Sequence, residues 1–293
     1  MEKENKIFGI SSFWLKVIAC ILMTFDHIAL LFIERGTSDT IPTLYYIFRA
    51  VGKISFPIFA FLAVEGAYKS KNPILYLIRL GSLAILLDIF GYSYGAIMHM
   101  QIASNPLIGN AFTDIFMGVL LIYLLRKKNV YSLFALIPLG YEIFSDFPIS
   151  EEYGTLFKSD WGTFSIVLFL TYFIAREIAD YYAKRKSSEM GIQEEAFNPE
   201  KEKYHKYFQA IVLIFTEALF YLIYRIDYTA FVIPNEFIPI GTYSTLAVIF
   251  ILLYNGKKGY SKSWIQYSFY SYYPLHLMIL GIFSMYFGVL SNL

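Results

Sequence analysis

The stretch Leu15-Lys-Val-Ile-Ala-Cys-Ile-Leu-Met-Thr-Phe-Asp-His-Ile-Ala-Leu-Leu-Phe32 forms most of an apolar run that extends from Phe13 to Ile33. About 20 apolar residues suffice for a helix to cross the hydrocarbon core of a bilayer, so the run has the length of a membrane span. Two adjacent ionisable residues, Asp26 and His27, interrupt it. Because ionisable side chains are costly inside a membrane, this pair indicates a functional site.

The composition of the whole chain is typical of a membrane protein. Of its 293 residues, 57% are hydrophobic and 16% are charged, whereas a soluble domain usually has about 25% charged residues. The formal net charge of +1 excludes a strongly basic nucleic-acid-binding protein. The sequence contains no spacing typical of a zinc site or a P-loop. The single cysteine, Cys20, cannot form an internal disulfide.

Nine apolar segments predict an all-α polytopic bundle of about nine transmembrane helices, forming a single domain over residues 1–293. Their approximate bounds are 13–33, 45–67, 74–93, 110–125, 130–145, 161–182, 207–224, 238–254 and 264–290. Lysine and arginine are concentrated in the N-terminal tail and in every second connection, which predicts a cytoplasmic N-terminus. The longest polar stretch, residues 184–206, is then expected to be a solvated cytoplasmic linker that can include a short helix.

Depth along each predicted helix, at about 1.5 Å per residue, separates the polar side chains into two groups. The first lies in the middle or outer half of the bundle and comprises Asp26, His27, Arg49, Lys53, Asp88, Asn110, Thr113, Asp114 and His276. The second lies nearer the cytoplasm and comprises Lys16, Glu65, Lys69, Lys71 and Arg79. Within the second group, Glu65 is predicted to pair with Arg79 across a short connection. Two polar compartments in one bundle suit either a group transfer or a transport process.

His27 is the strongest candidate for proton chemistry, because histidine exchanges protons near neutral pH. Adjacent helical residues point about 100° apart, so Asp26 need not orient His27. Asp26 is instead expected to pair with a cation such as Arg49 or Lys53.

Structural explanations remain open for several of these residues. The pair in the first span could fix helix packing, and His276 could satisfy the backbone near Pro274, which kinks a helix. Asn110 has the residue type and position of a helix cap. His99 and His205 fall in predicted loops and are expected to be solvated.

Several blocks of the sequence resemble the TraX family of membrane proteins, and they occur in the order found in that family. These blocks are Leu15-Lys-x6-Met23-x2-Asp26-His27-Ile28; Arg49-Ala-Val-Gly-Lys-Ile-Ser-Phe-Pro-Ile-Phe-Ala-Phe-Leu-Ala-Val-Glu-Gly66; Asn72, Tyr76 and Arg79-Leu80; Asn110-Ala-Phe-Thr113 with Gly118; Asp160-Trp-Gly162; and Phe269-Tyr-Ser-Tyr-Tyr-Pro-Leu-His-Leu277. The first two blocks and the last are the most specific. One departure is Gly52-Lys53, where the family often has Gly-Arg; lysine keeps the charge but lacks the bidentate fork.

The resemblance implies an integral membrane acetyltransferase of the bacterial cytoplasmic membrane, with acetyl-CoA as co-substrate and pilin N-terminal acetylation as the best-known role. It also implies a likeness to a wider superfamily of transmembrane acyltransferases. That superfamily includes enzymes acting on cell-surface glycans, uses acetyl-CoA from the cytoplasmic side and depends on a membrane histidine. By position, His27 would be the catalytic histidine, with Asp26 beside it. No permanently bound cofactor, metal site or nucleic-acid partner is expected.

The leading hypothesis is therefore an enzyme in which His27 acts as general base on an acceptor amine or hydroxyl. Its candidate supporting residues are Asp26, Arg49, Lys53, Asp88, Asn110 and His276. From depth, and not from a family motif, Arg79, Lys69 and Lys71 are expected to bind the phosphates of acyl-CoA. The alternative is a proton-coupled transporter or flippase, with Asp26 and His27 as a proton relay. A non-enzymatic scaffold fits poorly with so many intramembrane charges.

Overall fold

The structure, a computed structural model, describes residues 9–33, 43–101, 105, 107–147, 158–191, 198–226 and 241–287. Within these ranges the chain is helical apart from short connections and an isolated bridge between Ile10 and Tyr254. The α-helices are α1 Ser12–Phe32, α2 Thr43–Lys53, α3 Ser55–Lys69, α4 Pro73–Ile97, α5 Ala111–Leu125, α6 Leu136–Ser145, α7 Gly162–Glu189, α8 Asn198–Ile226, α9 Ala247–Leu253 and α10 Ser263–Phe287. Short 3₁₀ segments, Val130–Ala135 and Thr242–Leu246, precede α6 and α9. The predicted all-α class is confirmed.

Five of the described helical segments are long and apolar enough to cross a bilayer. They are Ser12–Phe32, Thr43–Lys69, Pro73–Ile97, Gly162–Glu189 and Lys201–Ile223. Three further apolar segments are shorter, namely Ala111–Leu125, Val130–Ser145 and Thr242–Leu253. The chain is thus a helical membrane protein, while nine spans and a cytoplasmic N-terminus stay predictions.

The second predicted span corresponds to α2 and α3, which follow one another directly with only Ile54 between them, and the Ile54 backbone also has right-handed helical torsion angles. Gly52, near the end of α2, lies directly against Asp26 of α1, and a Cβ at this position would overlap the Asp26 side chain. The absence of a side chain at Gly52 therefore lets α2 approach α1 closely. Helix α10 also packs against α1, so residues from both ends of the chain meet there.

Two hydrophobic clusters fill the bundle. The larger one draws on α1, α3, α4, α5 and α7, among other elements, and includes Leu15, Ile58 and Phe169. The smaller one joins α1, α4 and α10 around Met23, Leu87, Tyr94, Tyr273 and Leu277. Two residues of the first predicted polar group, His27 and His276, pack against Tyr273 of this smaller cluster.

The polar stretch 184–206 is largely helical. Helix α7 continues to Glu189, α8 begins at Asn198, and these two helices pack along one another. The prediction that His205 is solvated is wrong: it is 3% exposed and forms a hydrogen bond with Asp180. The reason is that α8 carries His205 into the interface with α7. His99, by contrast, is exposed as predicted.

Candidate functional site: a histidine pair beside a basic cavity

Two histidines from opposite ends of the chain form a hydrogen bond at the centre of the site. His27 Nδ1 of α1 lies 2.7 Å from His276 Nε2 of α10. The other ring nitrogen of His276, Nδ1, lies 2.9 Å from the backbone carbonyl oxygen of Tyr272. His276 is buried and His27 is partly exposed.

These contacts determine the tautomer of both neutral rings. A carbonyl oxygen accepts only, so Nδ1 of His276 carries the proton and donates it to Tyr272. Nε2 of neutral His276 is then an acceptor, and Nδ1 of His27 is the donor. Nε2 of His27 is left with its lone pair, which is the form required of a general base.

Tyrosines immediately before Pro274 pack against the pair. Tyr272 stacks on His276, with ring centroids 5.1 Å apart and planes at 15°. Tyr273 presents its ring edge-on, with its centroid 5.9 Å from that of His27 and 5.4 Å from that of His276. Neither tyrosine was among the candidate site residues predicted from the sequence. A signal was present, because positions three and four residues before His276 share its helix face.

Asp26 belongs to an ion-pair cluster and not to the histidine pair. Its Oδ2 is 2.7 Å from Arg49 Nη1 and 3.9 Å from Lys53 Nζ, so the expected pairing with these cations is confirmed. The Lys53 ammonium also lies 4.8 Å from the centre of the Trp161 ring. That ring stacks on Phe56 at 4.5 Å between centroids. The cations that surround Asp26 are therefore held in place by α2, α3 and the start of α7.

Asp88 and Asn110 form a hydrogen bond with each other at the start of α5. The Asn110 side chain donates to Asp88 Oδ1 at 2.7 Å and accepts from the backbone N–H of Thr113 at 3.0 Å. Asn110 is thus the N-cap of α5, which confirms the helix-cap interpretation of this residue from the sequence. Both side chains are buried, and the geometry gives them a structural part in fixing the first turn of α5.

Asp114 has a role that the sequence did not reveal. It accepts hydrogen bonds from the backbone N–H groups of Asp160 and Trp161 and from the Ser159 hydroxyl. These bonds hold the segment that leads into α7. They explain why the Asp160-Trp-Gly162 element lies beside Lys53.

A cavity of about 430 Å³ opens near the ends of α1, α3 and α4. The cationic residues that line it are Lys16, Lys69, Lys71, Arg79 and Lys258. The carboxylate of Glu65, several uncharged polar side chains and a set of aromatic and aliphatic side chains line the remainder. All three residues that sequence analysis assigned to acyl-CoA thus border the same cavity. The Arg79 guanidinium lies 5.9 Å from the centre of the Tyr267 ring.

The predicted ion pair between Glu65 and Arg79 is wrong. Glu65 pairs with Arg176 of α7, and its other oxygen lies 2.6 Å from Lys69. Arg79 instead lies over the Tyr267 ring of α10. Because Glu65 is satisfied by other cations, Arg79 is not engaged by it at the cavity wall.

Glu65, Glu202 and His205 could in principle offer metal ligands, since their ligand atoms lie within 4.8 Å of one another. Lys69 occupies the space between the two carboxylates, at 2.6 Å from Glu65 and 3.1 Å from Glu202. Asp180 holds Nε2 of His205. The group is therefore part of an ion-pair network that ties α8 to the cavity wall.

The histidine pair lies deeper than the cavity mouth. From Lys16 to His27 the rise along α1 is about 16 Å. Neither histidine is among the residues that line the cavity. Phe112 lines the cavity, and its ring centroid lies 5.0 Å from that of Tyr273, which in turn packs on both histidines.

Comparison with known proteins identifies relatives over almost the whole chain. The family model described as TraX protein matches residues 11–284. A probable fimbrial assembly protein FimC, serogroup H1, of Dichelobacter nodosus is 27% identical over 278 residues, which is 92% of this chain and 94% of that protein. No solved structure matches the chain significantly.

Proposed function

This chain belongs to the TraX family, and from that premise we propose that it is an integral membrane acetyltransferase. It transfers an acetyl group from acetyl-CoA to an amine or hydroxyl acceptor, and its membrane is the bacterial cytoplasmic membrane. The fimbrial assembly name of the Dichelobacter relative favours a pilin-like acceptor, with an N-terminal amine as the acetylated group. A cell-surface glycan is the other acceptor class.

The observation that carries the proposal is the hydrogen bond between His27 and His276, which leaves a lone pair on His27 Nε2. In the reaction, the acceptor nitrogen or oxygen attacks the thioester carbonyl carbon. Its proton passes to His27 Nε2, the C–S bond breaks, and the imidazolium returns the proton to the CoA sulfur. The products are the acetylated acceptor and free CoA, so no further reactant is required.

The basic cavity supports the same reaction from the donor side. Its volume of about 430 Å³ lies in the range of roughly 300–1,000 Å³ found for small-molecule sites. Arg79 and Lys71 border it without any carboxylate partner among the described contacts, and arginine forms strong bidentate bonds with phosphate. These residues would bind the phosphates of CoA, while the aromatic and aliphatic lining accommodates the pantetheine arm. Lys69 contributes charge but remains bonded to Glu65 and Glu202.

The test is the release of CoA from acetyl-CoA by purified full-length protein in detergent, with a peptide amine and an amino sugar as acceptors. His27→Ala is compared with His99→Ala, a histidine variant at an exposed position. We expect His27→Ala to lose about 10²–10⁴-fold in rate, the usual contribution of a general base, while His99→Ala retains full activity.

Either of two outcomes would refute the proposal. The first is that the wild type turns over no acetyl-CoA with any acceptor, and the second is that wild type and His27→Ala turn it over at equal rates. Proton-coupled solute flux in proteoliposomes without thioester cleavage would instead support the transporter hypothesis.

A further inference from the structure

An aromatic wall separates the cavity from the histidine pair. Phe59 and Phe112 line the cavity on the side of the histidines, whereas Tyr273 does not line it. Phe112 meets Tyr273 edge-on, with centroids 5.0 Å apart and planes at 76°. Tyr273 then packs against His27 and His276. An acyl group in the cavity therefore meets the Phe112 ring before it reaches His27.

Phe112 also lies where the two hydrophobic clusters meet. It packs against the larger cluster, which contains Ile115, and against the smaller cluster, which contains Tyr273 and Leu277. Loss of a side chain that contacts both clusters would extend the cavity towards the space around the histidines. Loss of a side chain that contacts only one of the two clusters would not extend the cavity towards the histidines.

The position of Phe112 is fixed by the start of α5. Asn110 caps the helix by accepting from Thr113 N–H, and it donates to the buried Asp88 carboxylate at 2.7 Å. Phe112 lies between Asn110 and Thr113 in the chain, and these two residues are joined by the capping hydrogen bond. Its backbone cannot withdraw from the cavity without breaking buried hydrogen bonds, which are costly to leave unmade.

We propose that Phe112 limits the length of the transferred acyl chain and so restricts the donor to short acyl groups. This inference rests on the proposed function, because it requires an acyl-CoA in the cavity. The acyl end leads the donor towards His27 and meets the Phe112 ring first. The ring therefore limits the volume that the acyl chain can occupy while the thioester carbonyl approaches His27. A methyl group packs beside the ring, whereas each further methylene needs volume that the ring fills, and close-packed interiors do not yield such volume freely.

The experiment compares acetyl-, butanoyl- and hexanoyl-CoA as donors for wild type, Phe112→Ala and Phe116→Ala. Phe116 lies one turn further along α5, packs near Gly81 and is not among the residues that line the cavity. A methylene in an apolar pocket changes specificity by roughly 10-fold or more. We expect the ratio of hexanoyl to acetyl turnover to rise at least about tenfold in Phe112→Ala and to stay at the wild-type value in Phe116→Ala.

The failures of this inference and of the proposed function are distinguishable. If the wild type cleaves no acyl-CoA, the proposed function fails. If the wild type cleaves acetyl-CoA but Phe112→Ala has the same preference among the three donors as the wild type, only the inference about Phe112 fails. The inference about Phe112 also fails if the wild type itself uses hexanoyl-CoA efficiently. Phe112→Leu, which keeps an apolar side chain, serves if the alanine variant does not fold, and its butanoyl to acetyl ratio is expected to rise.

Discussion

Replacing His276 with leucine removes the acceptor of the His27 Nδ1–H bond while keeping an apolar side chain in a buried position. The bond is 2.7 Å long, and His276 is 7% exposed, so water does not readily replace it. His27 is only partly exposed, so leaving its donor without an acceptor costs up to about 1–3 kcal/mol. His27 can avoid that cost by moving its proton to Nε2 or by turning its ring, and either change removes the lone pair from the reacting position.

At 1.36 kcal/mol per factor of ten, this cost corresponds to a loss of about 5–150-fold in kcat. The KM for acetyl-CoA should stay at the wild-type value, because His276 does not line the cavity. His276→Gln is the matched control, since its amide oxygen can accept from Nδ1 of His27 and should retain most of the activity. Steady-state kinetics of CoA release measures both constants. A His276→Leu enzyme with wild-type kcat, or equal losses in the leucine and glutamine variants, would refute the tautomer reasoning.

Three further predictions concern the surroundings of the pair and the cavity. Arg49→Gln should lower stability in detergent by about 1–3 kcal/mol, because it leaves the partly buried Asp26 carboxylate without its nearest partner; thermal unfolding measures this, and Asp26→Asn in the same chain should recover part of the loss. Arg79→Ala should raise the KM for acetyl-CoA about tenfold or more without changing kcat, through loss of charge-assisted bonds to phosphate, whereas Arg185→Ala, at an exposed position on α7, should leave both constants unchanged. Gly52→Ala should lower the melting temperature and the activity together, since the added methyl group forces α2 away from Asp26; a variant with wild-type stability would show that α2 tolerates the shift.

Hydropathy was sufficient to predict an all-α chain and the bounds of its long apolar helices, because it can be read along the sequence without knowledge of how the helices pack. The first apolar run was predicted at 13–33, and α1 spans Ser12–Phe32. Depth alone grouped Lys69, Lys71 and Arg79, which border one cavity. The pairing of Asp26 with cations of the second segment followed from the same reasoning, since few partners are available at that depth.

The rotation of each helix about its axis could not be predicted, because it depends on packing between distant segments. Glu65 was matched with Arg79, which is nearby in the sequence, but its partner Arg176 lies 111 positions away on α7. His27 and His276 are separated by 249 positions, so nothing local indicates that their rings meet. The stretch 184–206 was predicted to be a solvated loop because it is polar, although α7 and α8 bury His205 between them.

The ion pair between Asp26 and Arg49 bears on how the nascent chain enters the membrane. Either charge alone at the centre of a helix costs about 2.5–3.5 kcal/mol on insertion. The two residues are 23 positions apart, a length that a ribosome synthesises in roughly 1–5 s. Helix α1 is therefore expected to wait at the translocon until α2 arrives, and the two would then pass into lipid together as a neutralised hairpin.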